Sequence, residues 1–477
     1  MIKKIIKIFN IIFIPFKIAL ILFITYTSFN YLNEVFVNEE ADYGMYFHSI
    51  PDDSLDVIVL GSSQAEYSFD PTLFYEDTGL YSYVMSSACQ PLEVSYQMLR
   101  EGLKYHSPKL VVLEMFTVTP SSSVCEADSV YVIPQYFMND DEKYNTLNYL
   151  DEEKRITYYN EFINLHNNWR NFDSIEDFKP NEARIENFDK IATNFGYKYN
   201  KQVEYSNIWF AEFHPATTTS DLQQIDYESL TNIINLCKEN NIELLLYKTP
   251  VDGFTPEDHA KLDAVKRIAN ENSVPYIDYF EKDEEVDFWM NIHSDSYHAY
   301  QTGANIITSD LSKYILQNYT FNHKQNIDLD VLYDMGKTVS TLNILRDEID
   351  PDKYINRLYN FNDYMIISYK PTNLINQENL DRLNKVGLNN TLDRNKNYFA
   401  ILKDNVLIDY NYDFTELNAD NLNVTYIDNV LKINENYYEP KGNLTISLVD
   451  NTLKQYAYRD LDAEVFHEYG YNNYNKK

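Results

Sequence analysis

Residues 56–63 read Asp-Val-Ile-Val-Leu-Gly-Ser-Ser, an apolar, β-branched run that stops at a glycine and two hydroxyls. Such a run, bounded by a turn signal, predicts a buried parallel strand that presents a serine at its carboxyl end. In open α/β sheets ligands bind in the crevice beyond the carboxyl ends of the strands, which makes a serine there a candidate nucleophile. Gly61 supplies a tight turn and a close backbone approach. A Gly-Ser-Ser tripeptide also fills ordinary turns, so the reading depends on partners elsewhere in the chain.

Outward from this stretch, strand and helix patterns alternate. Leu55–Leu60 is the first predicted strand, and a short helical turn over Pro71–Asp77 closes at Gly79. A short strand over Tyr81–Met85 is followed by an amphipathic helix from Pro91 to about Tyr105, with proline at its first position where the missing N–H costs nothing. The apolar run after Pro108, Lys109 to Phe116, predicts a third strand. Later come a helix over Asp221–Asn240, a strand over Ile242–Tyr247, a helix from Pro256 to about Asn272, a strand over Val274–Asp278 and a helix from Gln301 to about Gln317. Five strands alternating with helices predict an α/β domain with a five-stranded parallel sheet covered on both faces. Residues 118–207, rich in Tyr, Asn and charge, interrupt the rhythm and read as an insertion that builds either a substrate cleft or a self-packed helical lid.

Beyond about Thr320 the pattern changes. Asp363–Lys370 and Tyr398–Tyr410 alternate as strands, the second turning at Asp404-Asn405, with a helix over Gln377–Val386 closed by Gly387 between them. Further strands are expected at Leu422–Tyr426, Val430–Ile433 and Leu444–Val449. The expected organisation is a membrane anchor over 1–40, an α/β domain over 41–320 and a β-rich domain over 321–477.

Ile8 to Phe29 is the one long apolar segment, interrupted by a single charge at Lys17. That length spans a bilayer. Lys3, Lys4 and Lys7 precede it and Glu34, Glu39, Glu40 and Asp42 follow, so the charge bias places the N-terminus in the cytoplasm and the body outside. No small-x-small cleavage pattern follows the run, which favours an uncleaved anchor over a signal peptide. Lys+Arg 40 against Asp+Glu 73 gives a formal charge of -33, which repels a phosphate backbone and excludes nucleic acid as an expected partner. Cys89, Cys125 and Cys237 show no metal-ligand spacing and allow at most one bridge within the chain, unassigned from sequence. Sequons at Asn318, Asn389, Asn423 and Asn443 suit an outside location, although an Asn-rich chain also produces them by chance.

Partners for the serine stand at 293–298, His-Ser-Asp-Ser-Tyr-His, just before the last helix of the α/β domain. A serine hydroxyl needs an imidazole to take its proton and a carboxylate to orient that imidazole. Asp295 and His298, three apart, fit on one loop at the same sheet edge as the end of the first strand. A Ser63, His298, Asp295 triad is therefore geometrically permitted. Two alternatives stay open: a metal site using His293, Asp295 and His298, which lacks an identifiable further ligand, and imidazoles that merely cap a helix.

Gly61-Ser62-Ser63 after the first strand, the five-strand pattern, and Asp295-x-x-His298 followed by Gly303-Ala304 resemble the SGNH/GDSL hydrolase superfamily. The likeness spans about Leu55 to Tyr319 without the insertion and leans toward membrane-anchored branches, the D-alanyl-lipoteichoic acid biosynthesis protein DltD and the alginate O-acetyltransferase group. The resemblance implies a flavodoxin-like three-layer α/β/α fold, Ser63 as nucleophile, Ser62 at the family's aspartate position, and Asp295 and His298 in the last motif. It implies no cofactor and no metal. The family's second-block glycine is replaced by Ser86-Ser87-Ala88, and its third-block Gly-x-Asn-Asp by Glu114-Met115-Phe116. The oxyanion hole would then rest on backbone N–H groups of Ser63 and of Ser87 or Ala88, and loss of a donor costs about 10²- to 10³-fold in rate. The C-terminal pattern resembles the interleukin-like EMT inducer domain, which implies carbohydrate contact or self-association.

The expected function is a membrane-tethered, extracytoplasmic O-acyltransferase or esterase acting on acyl, foremost acetyl, esters of a cell-surface polysaccharide. By resemblance it is partnered with a multi-pass membrane acyltransferase. The alternative is a non-catalytic scaffold or glycan-binding surface protein.

Overall fold

The computed structural model describes residues 2–35, 43–124, 194–199, 216–281 except Asp252, and 298–347, together with short stretches between 137 and 159 and the main elements of 354–472. Two compact units divide the chain: residues 1–198 with 206–329, and residues 199–205 with 330–477. Most of the expected insertion, and residues 282–297, lie outside the described residues.

The first unit opens with helix α1, Ile2–Val35, which carries Pro15 inside it. Its Ile14–Leu32 stretch is long and apolar enough to cross a membrane, and Phe16, Leu22 and Phe23 lie exposed along it. A short helix α2, Tyr43–Ser49, precedes strand β1, Val57–Gly61. Then follow α3 (Ser63–Ser68), α4 (Pro71–Thr78), β2 (Ser82–Ser86), α5 (Leu92–Tyr105) and β3 (Leu110–Glu114). After α6 (Glu152–Tyr159) come α7 (Gln224–Glu239), β4 (Glu243–Lys248), α8 (Pro256–Glu271), β5 (Tyr276–Asp278) and α9 (Gln301–Asn318).

The five strands form one parallel sheet in the order β2-β1-β3-β4-β5. Every residue of β1, β2 and β3 is buried, which is why these strands read as continuous apolar runs and not as alternations. One face, with Val57, Val59, Val84, Val112 and Leu245, packs against Phe69, Phe74, Ile307, Leu311 and Ile315 of the α3, α4 and α9 layer. On the other face α5 comes close enough that a Cβ on Gly102 would stand 3.1 Å from the side chains of Ile58 and Met85. The result is the three-layer α/β/α arrangement of the flavodoxin type.

Local chemistry sets several ends. Asp70 caps α4, accepting from the Thr72 and Leu73 N–H groups, with Pro71 at the first helical position, and Gly79 closes the helix in the left-handed conformation. Thr255 and Asp258 form a reciprocal capping box at the start of α8. The residues that return from the insertion meet the free edge of β2: the Val84 N–H donates to the Phe195 carbonyl at 2.9 Å.

The second unit, described by itself, includes most of α10 (Ile327–Asp347), a helix that the β-rich expectation for this region missed because its apolar residues form no clear stripe. A six-stranded antiparallel sheet follows in the order β15-β14-β13-β6-β7-β8, where β6 is Tyr364–Tyr369, β7 Tyr398–Lys403, β8 Val406–Asn411, β13 Leu444–Asp450, β14 Gln455–Leu461 and β15 Gly470–Asn472. Strands β9 (Leu417–Ala419), β10 (Leu422–Ile427), β11 (Val430–Ile433) and β12 (Asn436–Tyr438) form a second sheet. Alternate residues of β6 serve two cores. Met365, Ile367 and Tyr369 pack with Leu345, Leu358, Leu383 and Val386, whereas Tyr364 and Ile366 pack with Leu417, Val424, Leu431 and Ile433. The expected helix over 377–386 is α11, Gln377–Leu383, extended by a wider turn to Leu388. Gly387 (φ 122°) lies so close to the Asn405 carbonyl that a Cβ would stand 2.2 Å from its oxygen.

His106 caps α5 with both ring nitrogens buried and without a hydrogen-bond partner. Burial pulls its pKa down to about 4 from an ordinary 6.5, and Lys324 lowers it further. The folded protein then binds fewer protons than the unfolded chain between these values. The stability contribution of a neutral His106 is full above pH 6.5, falls as pH drops toward 4, and amounts to about 3 kcal/mol. Urea unfolding of the wild type and His106→Phe between pH 7 and 4 tests this. The variant is expected to show a shallower loss, and parallel curves would refute the assignment.

Candidate active site

Ser63 stands where β1 ends and α3 begins. Gly61 makes this turn with φ 152°, and a Cβ there would lie 2.8 Å from Glu114 Cβ and 3.0 Å from Ala65 Cβ. Only glycine lets the chain leave the sheet between β3 and α3 at this distance. Ser62 then caps α3, its Oγ accepting from the Gln64 N–H at 3.3 Å. Ser63 becomes the first residue of that helix and is half-buried.

His298 Nε2 is 2.8 Å from Ser63 Oγ. Polar contacts along α9 bring the two together across 235 residues of sequence. Thr308 Oγ1 accepts from the Asp70 N–H at 2.9 Å and donates to the Ser68 carbonyl, and Gln301 Nε2 donates to Asp70 Oδ2 at 3.2 Å. Tyr197 in turn donates to Gln301 Oε1 at 2.8 Å. Asp70 is fully buried, and that burial raises its pKa against the hydrogen bonds from Thr72 and Gln301. The start of α9, three residues after His298, is thereby fixed to the helices that follow Ser63. The Tyr67 ring lies over His298 with centroids 4.5 Å apart and planes tilted by 44°. Tyr67 is four residues beyond Ser63 on α3, so helical periodicity places it on the serine's face.

Ser87 and Ala88 follow β2, whose last residue Ser86 is in register with Gly61 on β1. Ser87 is fully buried, and its Oγ donates to Gln90 Oε1 at 3.1 Å while Gln90 Nε2 donates to Ser95 Oγ at 2.9 Å. Cys89 adopts a left-handed φ of 54° and is disulfide-bonded. The loop that carries Ser87 and Ala88 is thus held both by Gln90 and by a covalent link. Asp295 and His293 lie outside the described residues, so the structure assigns neither the third triad member nor the alternative metal set. Among the described residues no group of three or more His, Cys, Asp or Glu side chains is arranged to hold a metal.

Glu114, at the end of β3, and Lys248, at the end of β4, form a salt bridge of 3.0 Å with both side chains completely buried. Burial pulls the Lys248 pKa down while Glu114 holds it up. The pair was legible only as a Glu and a Lys, each at or next to the end of an apolar run, in strands that become neighbours.

No family model matches the chain, and no curated protein matches it. Two solved structures are similar: an acylhydrolase, provisionally so described, from Bacteroides fragilis and a GDSL-like lipase from Bacteroides thetaiotaomicron. Each is 12% identical with a TM-score of 0.28. Each match covers 59% of this chain, with 99% of the first chain and 100% of the second. A likeness at this level carries no functional weight; the described residues define the class directly, a flavodoxin-like α/β domain with a serine–histidine pair at the carboxyl edge of its sheet.

Gly61→Ala is expected to destabilise the protein by about 1–3 kcal/mol, as overpacking and an unfavourable φ combine. Denaturant midpoints of variant and wild type check this, and an unchanged midpoint would contradict the crowding at the turn.

Proposed function

We propose that this protein is a membrane-tethered serine acyl-ester enzyme, an O-acyltransferase or esterase, that acts outside the cytoplasm on acyl esters, foremost acetyl, of a cell-surface polysaccharide. The observation that carries the reading is the 2.8 Å contact between Ser63 Oγ and His298 Nε2 at the carboxyl end of β1. That distance lies within the range needed for proton transfer between nucleophile and base.

In the proposed reaction Ser63 Oγ attacks the acyl carbonyl carbon as His298 Nε2 takes the hydroxyl proton. The tetrahedral intermediate collapses with cleavage of the bond from the acyl carbon to the leaving group, and His298 returns the proton to that group, the sugar oxygen in the esterase reaction or the acyl carrier in the transferase reaction. Water or a second sugar hydroxyl then attacks the acyl-enzyme and gives its proton to His298; the bond from the acyl carbon to Ser63 Oγ breaks, His298 returns the proton to Oγ, and the acyl group leaves as the acid or the new ester. Asp295 is assigned to orient His298. The N–H of Ser63, one of the groups that the first turn of a helix leaves without an intrahelical acceptor, is assigned to the oxyanion together with those of Ser87 and Ala88. A multi-pass membrane acyltransferase is the proposed source of the acyl group.

Helix α1 supports a tether. The disulfide at Cys89 supports an oxidising compartment. A scaffold reading draws on one observation: the third-block position is occupied by Glu114, whose carboxylate is committed to Lys248 and to the Phe116 N–H at 2.9 Å.

The full-length protein in detergent is expected to react covalently with a fluorophosphonate probe, and Ser63→Ala and His298→Ala to lose at least about 10³-fold of that reactivity. A folded wild type that never labels would favour the scaffold. For the compartment, Cys237 is free, buried, and its thiol is pushed up to about 12 by burial. Iodoacetamide should leave it unmodified in the native protein and modify it after denaturation, while Cys89 should become reactive only after reduction. Mass mapping of Cys89 as a free thiol in unreduced protein would remove the support from compartment.

A further inference from the structure

The residue after Ser63 is tied to a buried chain of polar groups that the proposed chemistry does not use. Gln64 is 2% exposed, and its Oε1 accepts from Thr249 Oγ1 at 2.7 Å. Thr249 Oγ1 in turn accepts from Lys248 Nζ at 3.3 Å. Lys248 is completely buried. Its three N–H bonds meet Glu114 Oε1 at 3.0 Å, the Thr249 carbonyl and Thr249 Oγ1, while the rings of Phe116 and Phe254 stand 5.2 and 5.3 Å from its nitrogen. The other carboxylate oxygen of Glu114 accepts from the Phe116 N–H, and the Cβ of Glu114 is the atom against which Gly61 packs.

Fold stability does not call for such a chain. Removing an ammonium and a carboxylate from water is costly, and well-packed apolar residues in place of a buried ion pair are often neutral or stabilising. The distinguishing property of this pair is directional. Its ammonium meets its acceptors locally and polarises one hydroxyl, that of Thr249, which has two acceptors: Gln64 Oε1 at 2.7 Å, on the side chain next to the candidate nucleophile, and the more distant Glu114 Oε1 at 3.3 Å. Ser63 is therefore gripped from both sides, by the turn at Gly61 against Glu114 and by Gln64 through Thr249.

We propose that Thr249, backed by the Lys248–Glu114 pair, is a positioning residue that sets the orientation of Ser63 through Gln64. This inference rests on the acyl-ester reading of the Ser63–His298 pair. A small displacement of a reacting group costs up to about 10²-fold in rate, and it should appear in the chemical step and not in probe binding.

The test measures inactivation of the full-length protein in detergent by a fluorophosphonate, separating the maximal rate from the half-saturating concentration. Thr249→Val keeps the shape and removes the hydroxyl. It is expected to lower the maximal rate roughly 10- to 100-fold with the half-saturating concentration unchanged, and Thr249→Ser to restore most of it. Gln64→Met, which removes the acceptor, is expected to show the same loss, and the double variant no further one. A wild-type rate in folded Thr249→Val, failure of serine to rescue, or multiplying losses in the double variant would overturn the proposal. Should Thr249→Val not fold, Gln64→Met with the wild-type rate would overturn it alone. These results leave the acyl-ester reading intact as long as the wild type labels and Ser63→Ala does not; a folded wild type without labelling overturns both.

Discussion

The first unit depends on one constraint: five parallel strands, with β1 to β3 buried on both faces, must all release their chains at the same edge. With the order β2-β1-β3-β4-β5, the connections leaving β1 and β3 pass to opposite sides, and a crevice opens between them. Gly61, Ser86 and Glu114 mark the ends of the three strands at that crevice, with Gly61 and Ser86 in register. Ser63, the loop through Ser87 and Ala88, and the Glu114–Lys248 pair are thus neighbours because of sheet order, not because of sequence proximity.

Charge at this edge is divided into two environments. Ser63 is half-buried and paired with an imidazole, whereas Glu114 and Lys248 lie completely out of water with their hydrogen bonds met inside the protein. A buried group with every donor engaged has little freedom to exchange protons or to move. A half-buried hydroxyl hydrogen-bonded to an imidazole has both. The site therefore combines a rigid floor with one adjustable contact, and the residues leading into α9 supply that contact, held by Gln301 and Thr308 of α9 against Asp70 at the start of α4.

Much of this was legible in the residue pattern. The apolar runs at 57–60, 110–113 and 244–247 are strands because continuous burial leaves no room for alternation, and the hairpin at Asp404-Asn405 follows from two residues that tolerate positive φ, observed at 50° and 58°. Ser63 and His298 could be paired in advance because each stands at the sheet edge beside a turn or helix start. The buried ion pair could not, since a Glu and a Lys at strand ends look like solvent-facing residues until the strands are known to be neighbours. The helix α10 escaped because its apolar residues are spread around the axis. Tyr67 needed α3 to be recognised as a helix, and six residues with a serine at each end give too little periodicity for that.

The hydrogen bond between Val84 and Phe195 bears on how the molecule coexists with its own copies. Strand β2 is the outer member of the parallel sheet, and an outer strand offers unsatisfied amides to any extended segment that approaches it. Phe195, which is completely buried, takes up one of those amides from within the same chain, next to Gly196, whose place beside the Val84 carbonyl leaves no space for a side chain. The end of the segment that interrupts the α/β alternation thus serves as a guard for the sheet's margin. A chain shortened by excising that segment would keep all five strands, yet present a fresh edge for intermolecular β-pairing and lose the Tyr197 hydroxyl that holds Gln301 at the start of α9, so solubility and site geometry would suffer together.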